Sequence, residues 1–222
     1  SGSGKSILLI NAGAQLLLAG KTVYHFTFEL SEQMTKARYD VCLSGKTHEE
    51  RKKDPGAIDK IIHDRRNSAT PMGNLYVLER PTGTCKMHDV AAAVEETKLI
   101  TGKMPDAIIL DYLTIMAPND PKTTRMDNDY SKLKTIAEEA RAMAMTLKIP
   151  VITAVQSNRG SIERETIRNQ DIADSYAVIH VLDLVLSINQ TDMDKRSGQT
   201  RLYVTKSRNH LSDYAIVCDV DY

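Results

Sequence analysis

The sequence carries no excess of charge of either sign: Lys and Arg total 29 and Asp and Glu total 29 in 222 residues. A global basic field toward nucleic acid or anionic membrane is thereby excluded, so any contact with a polyanion must be local. Cysteine is scarce. Cys42, Cys85 and Cys218 lie far apart, form no Cys-x-x-Cys pair and leave an odd count, which fits a reducing compartment and argues against a structural zinc. The histidines are scattered with no His-x-x-x-His pair, so metal-hydrolase chemistry has no support. Long apolar runs are also missing, because Asn11, Gln15, Asp174, His180 and Asp183 interrupt the candidates. No segment then reads as a bilayer span, and a soluble, cytoplasmic protein is expected. Internal repeats and low-complexity segments are absent.

What is present begins at the first residue. "SGSGKS" runs directly into "ILLINAGAQLLLAG", an amphipathic helical pattern. In the phosphate-loop pattern G-x-x-x-x-G-K-[ST], Gly4, Lys5 and Ser6 fill the last three places. The first glycine, and the strand that normally feeds the loop, would fall before Ser1. The chain is therefore expected to be a domain cut from a longer protein, beginning inside the loop and lacking its first strand. At 41% apolar content, residues 1–222 suffice for one α/β domain with a core.

Helical and strand patterns then alternate as a parallel sheet with crossover helices requires. A helix over about 5–19 stops at Gly20 and leads to the strand "KTVYHFTFE". Ser31 and Gly45 bracket a second helix as N-cap and stop. The polar stretch 46–66 reads as one or two surface helices. The strand "NLYVLE", a turn at "RPTGT", a helix over about 87–100 and the buried strand "PDAIILDYL" follow. After a loop, a long helix over about 130–148 precedes the strand "PVITAVQ", and a short helix is expected near 172–179. Three strands, "DLVLSI", "TRLYVT" and "YAIVCDV", close the chain and are expected to be antiparallel.

Several polar residues fall where phosphate chemistry needs them. A loop of backbone N–H groups opening a helix is a preformed anion site; Lys5 would reach the β- and γ-phosphates and Ser6 would ligate magnesium. Asp111 ends the apolar strand "AIILD", where a carboxylate can hold the magnesium shell, although an acid there can equally end a strand. Glu29 closes "YHFTFE" as a candidate base for the attacking water, against the alternative of a solvated acid leading into the Ser31 cap. Gln156 ends "VITAVQ", where it can read the γ-phosphate or merely bond its neighbours. Glu29, Asp111 and Gln156 share the carboxyl edge of one sheet, the edge at which open α/β sheets bind ligands.

These segments resemble the ATPase domain of the hexameric replicative helicases of the DnaB type, over nearly the whole chain. "GKS" is similar to the end of the Walker A motif, "FTFELSEQM" to the segment bearing the catalytic glutamate, "IILDYLTIM" to Walker B and "TAVQSNR" to the motif with the sensor glutamine. "DIADSYAVIHVLDLVLSI" resembles the helix and strand after the DNA-facing loop, and "LYVTKSRNHLSD" the Lys-x-Arg element, with "SRNHLSD" departing from the family's glycine-containing turn. "LYVLERPTG" and the spacing resemble the T-even bacteriophage branch, which suggests phage origin and a bacterial host cytoplasm.

The resemblance implies a RecA-like P-loop NTPase core: a mostly parallel sheet flanked by helices, with antiparallel strands at the C-terminal end. It implies ATP or another NTP with Mg²⁺ as bound groups, held by Ser3, Gly4, Lys5, Ser6 and Asp111. It places catalysis on Glu29 and Gln156, and on Lys206 and Arg208 reaching the nucleotide of a neighbouring subunit in a homo-oligomeric ring, expected to be a hexamer. Single-stranded DNA is expected on two loops, residues 117–130 with Lys122 and Arg125, and residues 157–170 with Arg159, Arg164 and Arg168. Primase and a helicase loader are the implied partners, and no membrane. A RecA-like recombinase and a nucleotide-dependent assembly module with little turnover remain the alternatives.

Overall fold

A computed structural model describes residues 4–120, 122, 129–156 and 176–220 of the chain. Helix α1 (Lys5–Leu18) leads into β1 (Val23–Thr27), α2 (Glu32–Ser44), α3 (His48–Lys53), α4 (Pro55–Arg66) and β2 (Leu75–Glu79). Then come α5 (Met87–Thr101), β3 (Ala107–Asp111), α6 (Asp129–Leu147), β4 (Val151–Thr153) and α7 (Tyr176–Val181). The described chain closes with β5 (Leu184–Asn189), α8 (Asp192–Arg196), β6 (Gln199–Ser207) and β7 (Ala215–Asp219).

The strands form a four-stranded parallel sheet in the order β2-β1-β3-β4 and a three-stranded antiparallel sheet in the order β5-β6-β7. Every residue of β1 and β3 is buried, as near-continuous apolar parallel strands between helical layers must be. Alternation divides their side chains between two cores. Tyr24, Phe26, Ile108 and Leu110 pack with Val90 and Val94 of α5 and Ile136 and Ala140 of α6. Val23 and Ile109 pack on the other face with Ile10, Ala14 and Leu17 of α1 and Tyr39 and Leu43 of α2.

Local chemistry sets the element ends. The Ser31 hydroxyl accepts from the Met34 N–H and Gly45 adopts φ 70°, which gives α2 its expected cap and stop. The polar stretch is two helices because Asp54 ends α3 and caps α4, whose first residue is Pro55. Helix α8, in a segment left unassigned by the pattern, is a single turn held by a Thr191–Asp194 capping box.

Strands β1 and β4 are shorter than the apolar pattern suggests. The Leu30 N–H donates to the Thr27 hydroxyl (3.3 Å), which itself donates to the Leu30 carbonyl (2.8 Å), and this turn lifts the chain out of the sheet. Glu29 and Gln156 therefore lie in the segments just beyond the ends of β1 and β4 rather than on the strands.

One close approach fixes how α1 returns to the sheet. Gly73 donates its N–H to the Leu17 carbonyl (2.7 Å), and Val23 donates to the Asn74 carbonyl (2.8 Å). A Cβ at Gly73 would overlap the Lys21 carbonyl, which is backbone and has no rotamer to yield. Gly73→Ala is therefore expected to cost about 1–3 kcal/mol as overpacking. At roughly 2–4 °C per kcal/mol for a domain of this size, Tm should fall by several degrees. Thermal unfolding followed by circular dichroism checks this, and an unchanged Tm would refute the close-packing argument.

Candidate active site

The parallel register sets Thr27 opposite both Glu79 and Asp111, so three strands end in one row beside the start of α1. Gly4 precedes that helix at φ 76°, a left-handed conformation that glycine adopts without penalty. Gly4 makes no side-chain cap bond and α1 has no acid in its first turn, so no carboxylate of that turn offsets the positive end of the helix dipole.

Ser6 and Asp111, separated by nearly half the chain, meet here. The Ser6 hydroxyl donates to Oδ1 of Asp111 at 3.1 Å. Asp111 is only 4% exposed, and burial pushes its carboxyl above the usual carboxylate range. The Ser6 hydrogen bond and the cations Arg38 and Lys5 oppose that rise, whereas the negative charge of Glu29 adds to it. Lys5, Ser6, Glu29 and Asp111 thus belong to one electrostatic cluster, assembled from α1, β3 and the segment after β1.

Backbone bonds hold the exposed Glu29 at the edge. The Phe28 N–H donates to the Asp111 carbonyl (3.2 Å), and the Thr82 hydroxyl donates to the Phe28 carbonyl. Glu79 turns its carboxylate to the N–H of Glu32 (2.9 Å) and so anchors the start of α2. Gln156 is exposed on the same edge, following Ala154, whose carbonyl accepts from the Leu113 N–H (3.1 Å).

The donors suit a magnesium–nucleotide complex. A hydroxyl and a carboxylate are hard oxygen ligands, and Mg²⁺ is commonly held by one or two protein groups together with water and substrate phosphates. Among the described residues no group of three or more His, Cys, Asp and Glu forms a dedicated all-protein metal cage.

A family model described as the DnaB-like helicase C terminal domain matches residues 1–216. The chain belongs to this family. It is thus the C-terminal domain of a DnaB-like helicase. A DnaB-like replicative helicase of Enterobacteria phage T4 is 27% identical over 213 residues, covering 92% of this chain and 43% of the relative. The chain therefore spans less than half the length of that relative. Among solved structures, an ATPase domain matches with a TM-score of 0.80 at 15% identity, over 98% of this chain and 77% of the other. A DnaB-like replicative helicase described with its interactions with primase matches with a TM-score of 0.79 at 15% identity, over 99% of this chain and 52% of the other. These structural likenesses bear on the fold.

Not every expected site residue of this DnaB-like helicase C-terminal domain joins the cluster. Lys206 and Arg208 lie on and just after β6 in the antiparallel sheet, where Lys206 donates to the Ile179 and His180 carbonyls (2.7 and 3.1 Å) and Arg208 pairs with Asp183 (3.0 Å). Lys122 is exposed, and its backbone N–H donates to the Asp120 carboxylate at 2.8 Å. Ser3, Arg125, Arg159, Arg164 and Arg168 lie outside the described residues. No helix among the described residues is long and apolar enough to cross a membrane.

The structure also adds residues that the sequence pattern did not single out. Arg38 is half-buried on α2 and acts on Asp111. Its signal was available: Thr35, Arg38, Tyr39 and Cys42 follow helical spacing on an inward face, and a cation there asks for a partner. Tyr112 lies near both acids, its hydroxyl pKa raised by burial and then by Glu29 and Asp111. Behind the cluster, the Tyr39 hydroxyl meets Nδ1 of His25 at 2.9 Å and packs against Gly13 of α1. Burial pushes His25 down to about 4, so the imidazole is neutral at physiological pH, and burial raises Tyr39 far above its usual value. This neutral pair braces α1 and α2 against β1 directly under the site.

Proposed function

We propose that this domain is the motor of a ring-shaped replicative helicase, hydrolysing ATP between subunits to move along single-stranded DNA and unwind duplex. The observation that carries the reading is the convergence of the Ser6 hydroxyl on the buried Asp111 carboxylate, with Lys5 at the helix start and Glu29 beside them. Four groups of the P-loop NTPase type meet at the carboxyl edge of a parallel sheet.

In this reading the loop through Ser3 and Gly4 offers backbone N–H groups to the phosphates, and Lys5 places its ammonium on the β- and γ-phosphates. Ser6 and Asp111 hold Mg²⁺, which supplies charge neutralisation on the phosphate oxygens. Glu29 accepts a hydrogen bond from the attacking water and orients it. Gln156 senses the γ-phosphate from the neighbouring segment. Lys206 and Arg208, engaged away from Asp111 within one chain, reach the nucleotide of the adjacent subunit. Six copies of weakly basic loops, with Lys122, Arg125, Arg159, Arg164 and Arg168, track one phosphate backbone in a central channel, because sequence-independent contacts accumulate with subunit number. A primase and a loader dock on the assembled ring.

The test is ATP turnover with and without single-stranded DNA across a range of protein concentrations. The rate should rise with DNA and more than linearly with protein. A rate flat in DNA and strictly linear in protein would leave a self-contained P-loop NTPase and end the ring-motor reading.

A further inference from the structure

The three cations around the end of α7 share few acceptors. Lys206 occupies the Ile179 and His180 carbonyls, and Arg141 of α6 donates to the Val181 carbonyl (2.8 Å). These are last-turn carbonyls of α7, and that of Ile179 also accepts from the Leu182 N–H (3.2 Å). Arg208 instead has the Asp183 carboxylate, whose Oδ1 it shares with Arg141, each at 3.0 Å. The Arg208 N–H also donates to the Asp183 carbonyl (2.9 Å), extending the β5–β6 ladder by one step. Asp183 thus grips Arg208 by backbone and side chain together.

The strand is shaped to deliver the pair. Between Val185 and Leu186 the register shifts, with Val185 opposite Lys206 but Leu186 opposite Val204, so Thr205 is the extra residue of a bulge. Val204 and Thr205 are both buried, and the Thr205 hydroxyl is pinned to that of Ser187 at 2.6 Å. A bulge re-aims the residues beyond it.

We infer that Asp183 is a positioning residue for the Lys206–Arg208 pair, holding the Arg208 guanidinium extended for the nucleotide of the neighbouring subunit. This rests on the proposed role of that pair in trans. Three cations and one carboxylate leave the cluster net positive and ready to meet phosphate. Without the Asp183 charge, Arg141, Lys206 and Arg208 repel one another and Arg208 loses its direction. The Asp183 carboxyl is held below the usual carboxylate range, first by Arg141 and then by its other cations, so it is ionised at neutral pH.

Asp183→Asn in the assembled protein should lower kcat for ATP by roughly 10- to 100-fold, the scale of a misplaced catalytic group, with KM and assembly unchanged. In an Arg208→Ala background the same change should have almost no further effect, because both act through one group. Subunits with Asp183→Asn mixed with subunits carrying Lys5→Ala should regain turnover: one supplies an intact nucleotide site and the other a well-aimed arginine. Asp183→Glu keeps the charge but moves it outward, and should fold and assemble with a smaller loss of kcat. A wild-type kcat in folded Asp183→Asn, a loss in Asp183→Glu as large as in Asp183→Asn, or additivity with Arg208→Ala overturns the inference while leaving the role of Arg208 intact. If Arg208→Ala itself leaves turnover unchanged, the in-trans reading is what fails.

Discussion

Replacing Arg208 by alanine is expected to lower ATP turnover of the assembled protein by about 10³- to 10⁵-fold, the range attributed to an arginine finger. The transferring γ-phosphoryl spreads charge over its equatorial oxygens, and a guanidinium can meet two of them at once. Within one chain that guanidinium lies against Asp183, and in the proposed mechanism it acts on the nucleotide of the neighbouring subunit. The loss should accordingly appear only where subunits assemble. Turnover measured below and above the assembly concentration, beside nucleotide binding, separates the cases. A mutant with the same low rate as wild type when dispersed and no gain on assembly supports the interface mechanism; equal gains in both proteins refute it.

Glu29→Gln is expected to lower the hydrolytic step by roughly 10²- to 10⁴-fold, the range for a positioned general base, while nucleotide binding persists. The amide keeps the shape of the carboxylate but accepts the proton of water poorly. Binding should hold or tighten, because the Glu29 charge is one of the influences that raise the Asp111 carboxyl, and removing it eases ionisation of Asp111. Single-turnover hydrolysis and fluorescent-nucleotide titration on the same preparation provide both readings. Loss of hydrolysis with binding retained assigns the water to Glu29. Unchanged hydrolysis removes Glu29 from the mechanism, and an absence of turnover in both proteins favours a nucleotide-dependent assembly module.

The fold was legible wherever local physics and the hydrophobic pattern agree. "AIILD" reads as a strand buried on both faces, which β3 is, and Ser31 and Gly45 cap the helix between them with the expected geometry. Errors arose where a side chain competes with the ladder. Thr27 turns the chain out before Glu29, and no apolar pattern records that hydroxyl's bonds. Helix α8 escaped notice because its stability lies in a capping box rather than in an amphipathic stripe.

The sequence by itself determined the alternation of strands and helices, the glycine–lysine–serine start of α1 and the placement of Asp111 at a strand end, because these depend on residue type and short-range spacing. Only the tertiary structure decided that Ser6 donates to Asp111, that the positive charge of Arg38 bears on that carboxylate and that Asp183 takes Arg208. Those interactions join positions remote in the chain or on separate helices and strands. They depend on parallel register, on the close approach at Gly73 and on a one-residue bulge at Thr205, none of which a linear pattern encodes.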